Sequence, residues 1–286
     1  MNARRETSAR SSSDESVRDA GGVRAVARAA RILTVLADHP HPLGVVELAK
    51  LVDLSPASVH RILSTLVSVG WVGQNSRTTK YRLGMRAIGV GMVGLATNPV
   101  VHEGRAYLTR LAKWSGYEAA LSTLTGVKTV QVARVPAPGT DVVEFDPIRP
   151  QPAHAMAEGK LLLAFLPEDE LNYLYEVEGL KRFTVNSIGD RLQMDKELET
   201  IRSRGYAIDN FEHSDSVRGI AVPVLGANDL PIAAMSCTGK IDPARDRDII
   251  QQMQALSRAL SDDLKAAGDM PAPALGYILP SGSQQD

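Results

Sequence analysis

The chain has 286 residues, 44% of them hydrophobic and 23% charged, with a formal net charge of −1. This length is enough for two domains, and the composition is that of a globular protein. Apolar runs stay well short of the ~20 residues that a membrane span requires. The polar segment 1–22 lacks the apolar core of a secretory signal. Cys237 is the single cysteine, which excludes an internal disulfide and a multi-cysteine zinc site and favours a cytoplasmic location.

The charge is distributed unevenly along the chain. Residues 24–86 carry nine basic and three acidic side chains, whereas residues 87–286 carry 19 basic and 26 acidic ones. A basic first part and an acidic second part are expected when only the first part binds a polyanion such as nucleic acid. A solvated basic surface without a partner is the alternative.

Segment 44–70 predicts two helices joined by a tight turn. Apolar residues recur at helical spacing on both sides of the turn, from Val45 to Val52 and from Val59 to Val67. Ser55 followed by Pro56 is typical of a helix start. The exposed face of the second helix carries residues suited to base edges in the DNA major groove, namely Ser55, Ala57, Ser58, His60 and Arg61. A helical hairpin in an ordinary bundle is the alternative.

Further elements surround this helix pair. Segment 1–22 predicts a disordered arm, and segment 24–37 predicts a helix that ends before Pro40. Segments 71–74 and 80–83 predict two short strands around a polar, basic tip, that is, a β-hairpin. Arg77, Thr78 and Lys80 at this tip would contact phosphates or an adjacent minor groove. Residues 23–83 are therefore expected to form a winged helix-turn-helix.

Residues 84–98 are expected to form a helix that links two domains. Large apolar residues are interleaved there with four glycines, each of which lowers helix propensity by about 1 kcal/mol relative to alanine. Close packing against another helix must compensate. The partner that we expect is the same helix of a second copy, which predicts a dimer, and an intramolecular contact is the alternative.

Residues 99–267 predict a second domain with mixed structure. Helices are expected at 101–115, 156–165, 168–178, 195–204 and 246–266, and strands at 118–125, 129–135, 142–145, 206–209, 220–225 and 232–238. Antiparallel strands with helices on one side indicate an α+β, sensor-like domain. Residues 268–286, with three prolines, predict a tail.

Several strings, in this order, resemble the IclR family of transcriptional regulators. RILSTLVSVGWV (61–72) and KYRLG (80–84) match its DNA-binding half. PAHAMAEGKLLLAFLP (152–167), RSRGYAIDNFEH (202–213), IAVPVL (220–225) and PIAAMSCTG (231–239) match its second half. The resemblance covers residues 24–265.

This resemblance implies a fold, a function and partners. The expected fold is a winged helix-turn-helix, a linker helix and a GAF-like α+β effector domain. The expected function is ligand-responsive regulation of a metabolic or catabolic operon, with repression favoured over activation. The expected partners are a palindromic double-stranded operator, a small organic acid or aromatic effector, and further copies of the chain in a homodimer or dimer of dimers.

The resemblance also implies where the effector binds. Family ligands lie against the start of the helix that here begins near Ala155, where free backbone N–H groups and the helix dipole attract a carboxylate. The effector-binding residues expected in this way are Phe145, Ile148, Met156, Ala157, Glu158, Gly159, Asp209, Gly219, Ile220, Ser236 and Thr238.

Two of these positions depart from the family pattern. The family usually has a small residue where Glu158 stands and often a cysteine where Gly219 stands. We expect Glu158 to complement the helix dipole from the surface, an inward orientation being the alternative. We expect Gly219 to enlarge the site, so that the ligand exceeds a two- or three-carbon oxoacid.

An enzyme and a sensor that does not bind DNA are the alternative functions. His154, Glu158, Asp209, His213 and Cys237 bear chemistry, but no nucleophile-elbow signature or metal-ligand spacing accompanies them. We therefore expect no enzyme activity, no cofactor and no metal. Steeply salt-dependent binding to duplex DNA would separate a DNA-binding regulator from both alternatives.

Overall fold

The computed structural model describes residues 23–140 and 150–268. The predicted arm, the tail beyond Gly268, the predicted strand at 142–145 and the candidate residues Phe145 and Ile148 lie outside the described residues. The chain divides into two compact units between Ala96 and Thr97. Among the described residues, no helix is both long and apolar enough to cross a membrane.

The first unit has the elements expected from the sequence. They are α1 (Arg24–Asp38), α2 (Val45–Val52), α3 (Pro56–Ser68), β1 (Val72–Gln74), β2 (Tyr81–Leu83) and α4 (Met85–Ala96). The apolar stripes of α1, α2 and α3 meet in one core with the hairpin, in which Ile32, Leu48, Val59 and Leu63 are fully buried. This packing confirms the winged helix-turn-helix.

The turn between α2 and α3 is fixed by local chemistry. Asp53 ends α2 in the left-handed region, with φ of 53°, which an aspartate tolerates better than most residues. The Ser55 side chain accepts a hydrogen bond from the Ser58 backbone N–H at 3.3 Å, and Pro56 is the first residue of α3. The helix start predicted from Ser-Pro is thus confirmed.

The second unit contains five α-helices and six strands in its described residues. The helices are α5 (Pro99–Ser115), α6 (Ala157–Leu163), α7 (Glu168–Tyr173), α8 (Arg191–Arg204) and α9 (Asp246–Ala267). The strands are β3 (Glu118–Thr125), β4 (Lys128–Val135), β5 (Gln151–Pro152), β6 (Ala207–Asp209), β7 (Arg218–Leu225) and β8 (Pro231–Gly239). A 3₁₀ turn at Ala153–Ala155 precedes α6. Helix α8 begins four residues before the predicted 195, because the Asp190 side chain caps it by accepting from the Gln193 N–H at 3.0 Å.

The strands form one antiparallel sheet in the order β5-β4-β3-β8-β7-β6. The prediction of helices on one side of the sheet was wrong, because helices cover both faces. Leu121, Ile220 and Met235 pack towards α5 and α9, whereas Ala221 and Ala234 pack towards α6 and α8. Strands buried on both faces keep apolar residues at successive positions, so the sequence lacks the alternation of a one-sided sheet.

Candidate functional site

Helix α3 presents a polar face to solvent. Ser55, Ala57, His60 and Arg61 are exposed, while Ser58 is half-buried. The Ser55 hydroxyl donates to the Ser58 hydroxyl at 2.9 Å, so both serines are engaged in capping the helix. His60 and Arg61 are then the long side chains on this face that remain available for an external partner.

The hairpin tip is a rigid, basic turn. The Asn75 side-chain oxygen accepts hydrogen bonds from the backbone N–H groups of Arg77 at 2.9 Å and Thr78 at 3.0 Å. The Arg77, Thr78 and Lys80 side chains are exposed. Lys80 lies 3.8 Å from Glu47, and both side chains are about half exposed. Such a pair contributes little, so Lys80 can exchange Glu47 for a phosphate.

In the second unit, strand register brings three predicted site residues and Glu118, which the sequence did not indicate, close together. Asp209 pairs with Gly219, Gly219 with Thr238, and Thr238 with Glu118, so one row crosses four strands. Residues paired directly across strands share a face of the sheet. An added Cβ on Gly219 would lie 3.3 Å from the Ala157 Cβ, which shows that this face lies beneath α6. We call Asp209, Gly219, Thr238 and Glu118 the carboxyl row.

Two buried hydroxyls lie on the same face as the carboxyl row. Ser236 lies two residues from Thr238 and pairs with Ala221 and Ala120 on its two sides, while Ser122 pairs with Ala234. Both side chains are 0% exposed. Neither hydroxyl oxygen has a hydrogen-bond partner among the described residues. A buried polar group without a partner is costly and therefore uncommon in folded proteins.

Glu158 points into the protein, contrary to the surface position expected from the sequence. It is 2% exposed, and burial raises the pKa of its carboxyl to about 7, with the carboxyls of Asp209 and Glu118 acting in the same direction. The groups that lower this pKa are its own backbone N–H and the Gln131 side chain. Since Gln131 pairs with Ser122 across β3 and β4, Glu158 lies over the face that carries the two unpartnered hydroxyls.

The glycines of the predicted site serve close packing. An added Cβ on Gly159 would lie 2.1 Å from the Ala153 carbonyl oxygen, so only glycine lets α6 pack on the preceding 3₁₀ turn. Ala157 approaches Gly219 closely, so a side chain at this position would crowd α6. That this glycine enlarges the site stays a prediction. Met156 is half-buried just before α6, and its N–H donates to the Ala153 carbonyl.

Ile220 does not belong to this site. It is fully buried in the core that contains Leu108 and Met253, on the face covered by α5 and α9. Because side chains alternate along a strand, Gly219 and Ile220 cannot both face α6. The assignment of Ile220 to the effector site is therefore corrected.

Lys160, on α6, forms a buried network that the sequence did not reveal. Its side chain is 1% exposed, and its ammonium donates to Glu212 at 2.5 Å, to the Ile208 carbonyl at 2.8 Å and to Glu197 at 3.3 Å. Burial raises the pKa of Glu212, while Lys160 acts to lower it. The Gly-Lys pair in the family-like string was the signal, but nothing in the sequence indicated the two glutamates.

Cys237 lies apart from Glu158, another of the residues considered for catalysis. Cys237 is buried on the α5 and α9 face, where burial raises the pKa of its thiol, whereas Glu158 lies on the α6 side. The His154 ring lies 2.9 Å from the Lys181 carbonyl oxygen. Within residues 23–140 and 150–268, no cluster of three or more His, Cys, Asp or Glu residues could hold a metal ion.

Comparisons with known proteins agree with both units. Residues 25–76 match the IclR helix-turn-helix domain, and residues 93–265 match the family described as bacterial transcriptional regulator IclR C-terminal. The regulator XynR of Escherichia coli K12 is 32% identical over 245 residues, which cover 83% of this chain and 97% of XynR.

Two solved structures extend the comparison. An IclR regulator from Alicyclobacillus acidocaldarius has a TM-score of 0.68 at 25% identity, over 84% of this chain and 98% of that one. The inducer-binding domain of PobR from Acinetobacter, a double mutant in complex with 3-hydroxybenzoic acid, has a TM-score of 0.51 at 29% identity, over 58% of this chain and 97% of that one. The chain belongs to the IclR family of bacterial transcriptional regulators.

Proposed function

We propose that this chain is a ligand-responsive DNA-binding regulator, with repression favoured over activation, of a metabolic or catabolic operon. The observation that carries the proposal is the polar face of α3, held outward by a packed core within a basic unit. A separate unit with buried polar groups beneath α6 would supply the response to a ligand. In this proposal the protein acts in the cytoplasm, where bacterial DNA lies, and it is not an enzyme.

Residues 23–83 would bind the operator. Arg61 would donate two N–H groups of its guanidinium to a guanine edge, with His60 and Ser58 reading neighbouring positions. Ser55 and Ala57 lie at the start of α3, the part of a recognition helix that approaches base edges. Arg77, Thr78 and Lys80 of the hairpin would contact phosphates, which adds affinity without sequence preference.

Residues 84–98 would join two copies of the chain. On α4 several large apolar side chains are exposed, with Met85 at 78%, Met92 at 67% and Val90 at 54%. An added Cβ at Gly89 or Gly91 would meet nothing within 4 Å, so another helix could approach there closely. A second copy of α4 is the occupant that we propose, in a homodimer or a dimer of dimers. A two-fold dimer then requires a palindromic operator.

Residues 99–267 would bind the effector, a small organic acid or aromatic compound. Glu158, Asp209, Ser236 and Thr238 would provide polar contacts, with Met156, Ala157, Gly159 and Gly219 shaping the site and Phe145 and Ile148 as further candidates. PobR, whose inducer-binding domain is similar over 58% of this chain, is seen with 3-hydroxybenzoic acid. Binding would shift the dimer between two arrangements with different operator affinity, which requires unequal ligand affinity for the two.

Salt-dependent DNA binding tests the regulator proposal. Purified full-length protein is incubated with fragments of the source genome, the bound fragments are sequenced, and affinity for the best one is measured across salt concentrations. We expect affinity to fall by a factor of about 10³ or more between about 50 and 200 mM salt, because a dimer neutralises several phosphates. Equal binding to all fragments, or binding that salt does not change, would contradict the proposal.

A further inference from the structure

The buried face beneath α6 carries carboxyls and unpartnered hydroxyls, which suit a neutral hydroxylated ligand better than an ionised acid. We infer that the effector is a neutral, hydroxylated compound whose hydroxyl groups face Glu158, the carboxyl row, Ser122 and Ser236, and that compounds with an ionised carboxylate are disfavoured. This rests on the proposed function of the same site. It sets aside the organic acids of the ligand class given above in favour of neutral compounds, aromatic alcohols and polyols among them.

The first observation is the sign of the charge. Among the groups that act most strongly on Glu158, the charged ones are the carboxyls of Asp209 and Glu118, and Lys160 and Arg218 act in turn on Asp209. An anion placed among three carboxyls would meet repulsion in a poorly screened interior. A hydroxyl donor would instead find acceptors.

The second observation is that basic side chains around this face already have acidic partners. Arg134 pairs with Glu118 at 2.8 Å, and Lys160 pairs with Glu212 at 2.5 Å. Recruiting one of them for a ligand carboxylate would leave a buried or half-buried carboxylate without its cation. Among the described residues, Arg134 and Lys160 are therefore not ready counter-ions for an acid.

The third observation is the pair of unsatisfied hydroxyls. Ser122 and Ser236 are 0% exposed and lack a partner among the described residues. Each hydroxyl can both donate and accept a hydrogen bond, so a ligand hydroxyl would satisfy either one. The residues that pair with these serines across the strands are small, namely Ala120, Ala221 and Ala234. Two hydroxyls and three carboxyls together match a ligand with several O–H groups.

Because the pKa of Glu158 is raised, the preference for alcohols over acids should depend on pH. Since burial raises that pKa to about 7, the carboxyl is mostly ionised at about pH 8 and mostly neutral at about pH 6. Asp209 and Glu118 act on this carboxyl; burial also raises the pKa of Asp209, while Lys160 and Arg218 act to lower it. Repulsion of an acid should therefore weaken as the pH falls, while binding of a neutral alcohol should change little.

Matched alcohols and acids test the inference on the full-length protein. The probes are glycerol and glycerate, xylitol and xylonate, and 3-hydroxybenzyl alcohol and 3-hydroxybenzoate, with 3-hydroxybenzylamine as a cationic arm. Thermal stabilisation and calorimetry at about pH 8, with each probe up to about 10 mM, report binding without DNA. We expect at least one alcohol to bind and its matched acid to bind at least about tenfold more weakly, while the amine tests whether the carboxyls select a cation instead.

Two variants separate this role from simple loss of folding. Glu158→Gln keeps the size and hydrogen bonding of the side chain, and we expect it to bring the alcohol and acid affinities within about threefold of each other. Ser236→Ala should weaken the alcohol by about three- to tenfold and leave the alcohol-to-acid ratio unchanged. Both variants must keep a single cooperative thermal transition, and Ser115→Ala, on the α5 and α9 side, serves as the matched control.

Several results would overturn the inference. They are tighter binding of an acid or of the amine than of its alcohol, an alcohol-to-acid ratio that Glu158→Gln does not change, and failure of every alcohol to bind. An acid-preferring site would leave the regulator proposal intact, because DNA binding is measured separately. Conversely, if the protein prefers alcohols but binds no DNA, the regulator proposal is rejected and the inferred ligand class stands.

Discussion

Helices α3 and α6 carry the proposed contacts of the two units in opposite environments. On α3, His60 and Arg61 are exposed, and the core lies on the other side of the helix. On α6, Glu158 and Lys160 are 2% and 1% exposed. A solvated charge costs little until a partner arrives, whereas a buried charge must be compensated within the fold. Substitutions on α3 should therefore alter DNA binding alone. Substitutions on α6 should alter the stability of the fold and the dependence of that stability on pH.

The two buried charges of α6 also differ from each other. Lys160 has two carboxylates and a backbone carbonyl as partners. Glu158 has acidic neighbours and an amide, and burial moves its pKa towards the neutral form. Because these partners compensate its charge, Lys160 belongs to an ion network with a structural role. The groups that act most strongly on Glu158 include carboxyls and no cation. A ligand can satisfy this side chain, because its neutral and ionised forms are close in free energy near neutral pH.

The largest effect is expected from Lys160→Met. The methionine fills a similar volume but leaves the Glu212 carboxyl buried without its cation, which typically costs about 3–5 kcal/mol. Urea or guanidinium unfolding measures the loss. Lys265→Met is the control, since Lys265 pairs with Asp229 at 2.7 Å but the Asp229 side chain is 79% exposed, and the loss there should stay below about 1 kcal/mol. Equal losses in the two variants would contradict the structural role of Lys160.

The second effect is the pH dependence of Glu158→Gln. The carboxyl has a pKa near 4.5 when unfolded and about 7 when folded, so the folded state holds the extra proton between these values. Wild type should therefore lose stability relative to Glu158→Gln as the pH rises from about 4.5 to about 7, by up to about 3 kcal/mol. Unfolding at several pH values measures the difference, and Glu199→Gln at an exposed position of α8 is the control. A stability difference between wild type and Glu158→Gln that does not vary with pH would contradict the raised pKa of the buried Glu158 carboxyl.

On α3, Arg61→Ala should change DNA recognition without changing stability. Loss of a bidentate contact to guanine should cost about 1–3 kcal/mol of discrimination at one base pair in each half-site. Competition between the selected fragment and single-base variants measures it. Arg105→Ala, an exposed arginine of the effector unit, is the control. A variant that discriminates bases as wild type does would remove Arg61 from the recognition surface.

The smallest effect is expected from Arg77→Ala in the hairpin. Because a phosphate contact is independent of sequence, affinity should fall uniformly for all duplexes, and the salt slope should decrease by about one per subunit. Titrations at several salt concentrations measure the slope. A loss confined to one DNA sequence would mean that Arg77 reads a base instead.

The first unit was predictable because its signals are local. Helical periodicity in α2 and α3, the Ser55-Pro56 start and the basic hairpin tip each act within a few residues of the chain. The exposed positions of α3 then follow from the apolar stripe on its other side. The start of α8 was missed because the periodic pattern is weak there and the Asp190 cap was not considered.

The second unit was less predictable because its site depends on pairing between distant strands. Ser236 and Thr238 were placed on one face by simple alternation, but whether Gly219 or Ile220 shares that face depends on the register of β7 against β8. That register pairs Gly219 with Thr238 and Ile220 with Cys237. The inward direction of Glu158 likewise depends on how α6 packs on the sheet, which no local pattern specifies.

The central claim is that occupancy of the face beneath α6 controls binding of DNA by the first unit. The most direct test measures the affinity of the full-length protein for its selected genomic fragment with and without the alcohol that stabilises it most. We predict a change of at least about fivefold, within the usual range of coupling between two sites, and a smaller change in Ser236→Ala at the same alcohol concentration. An alcohol that binds with the expected affinity but leaves DNA affinity unchanged would contradict the account.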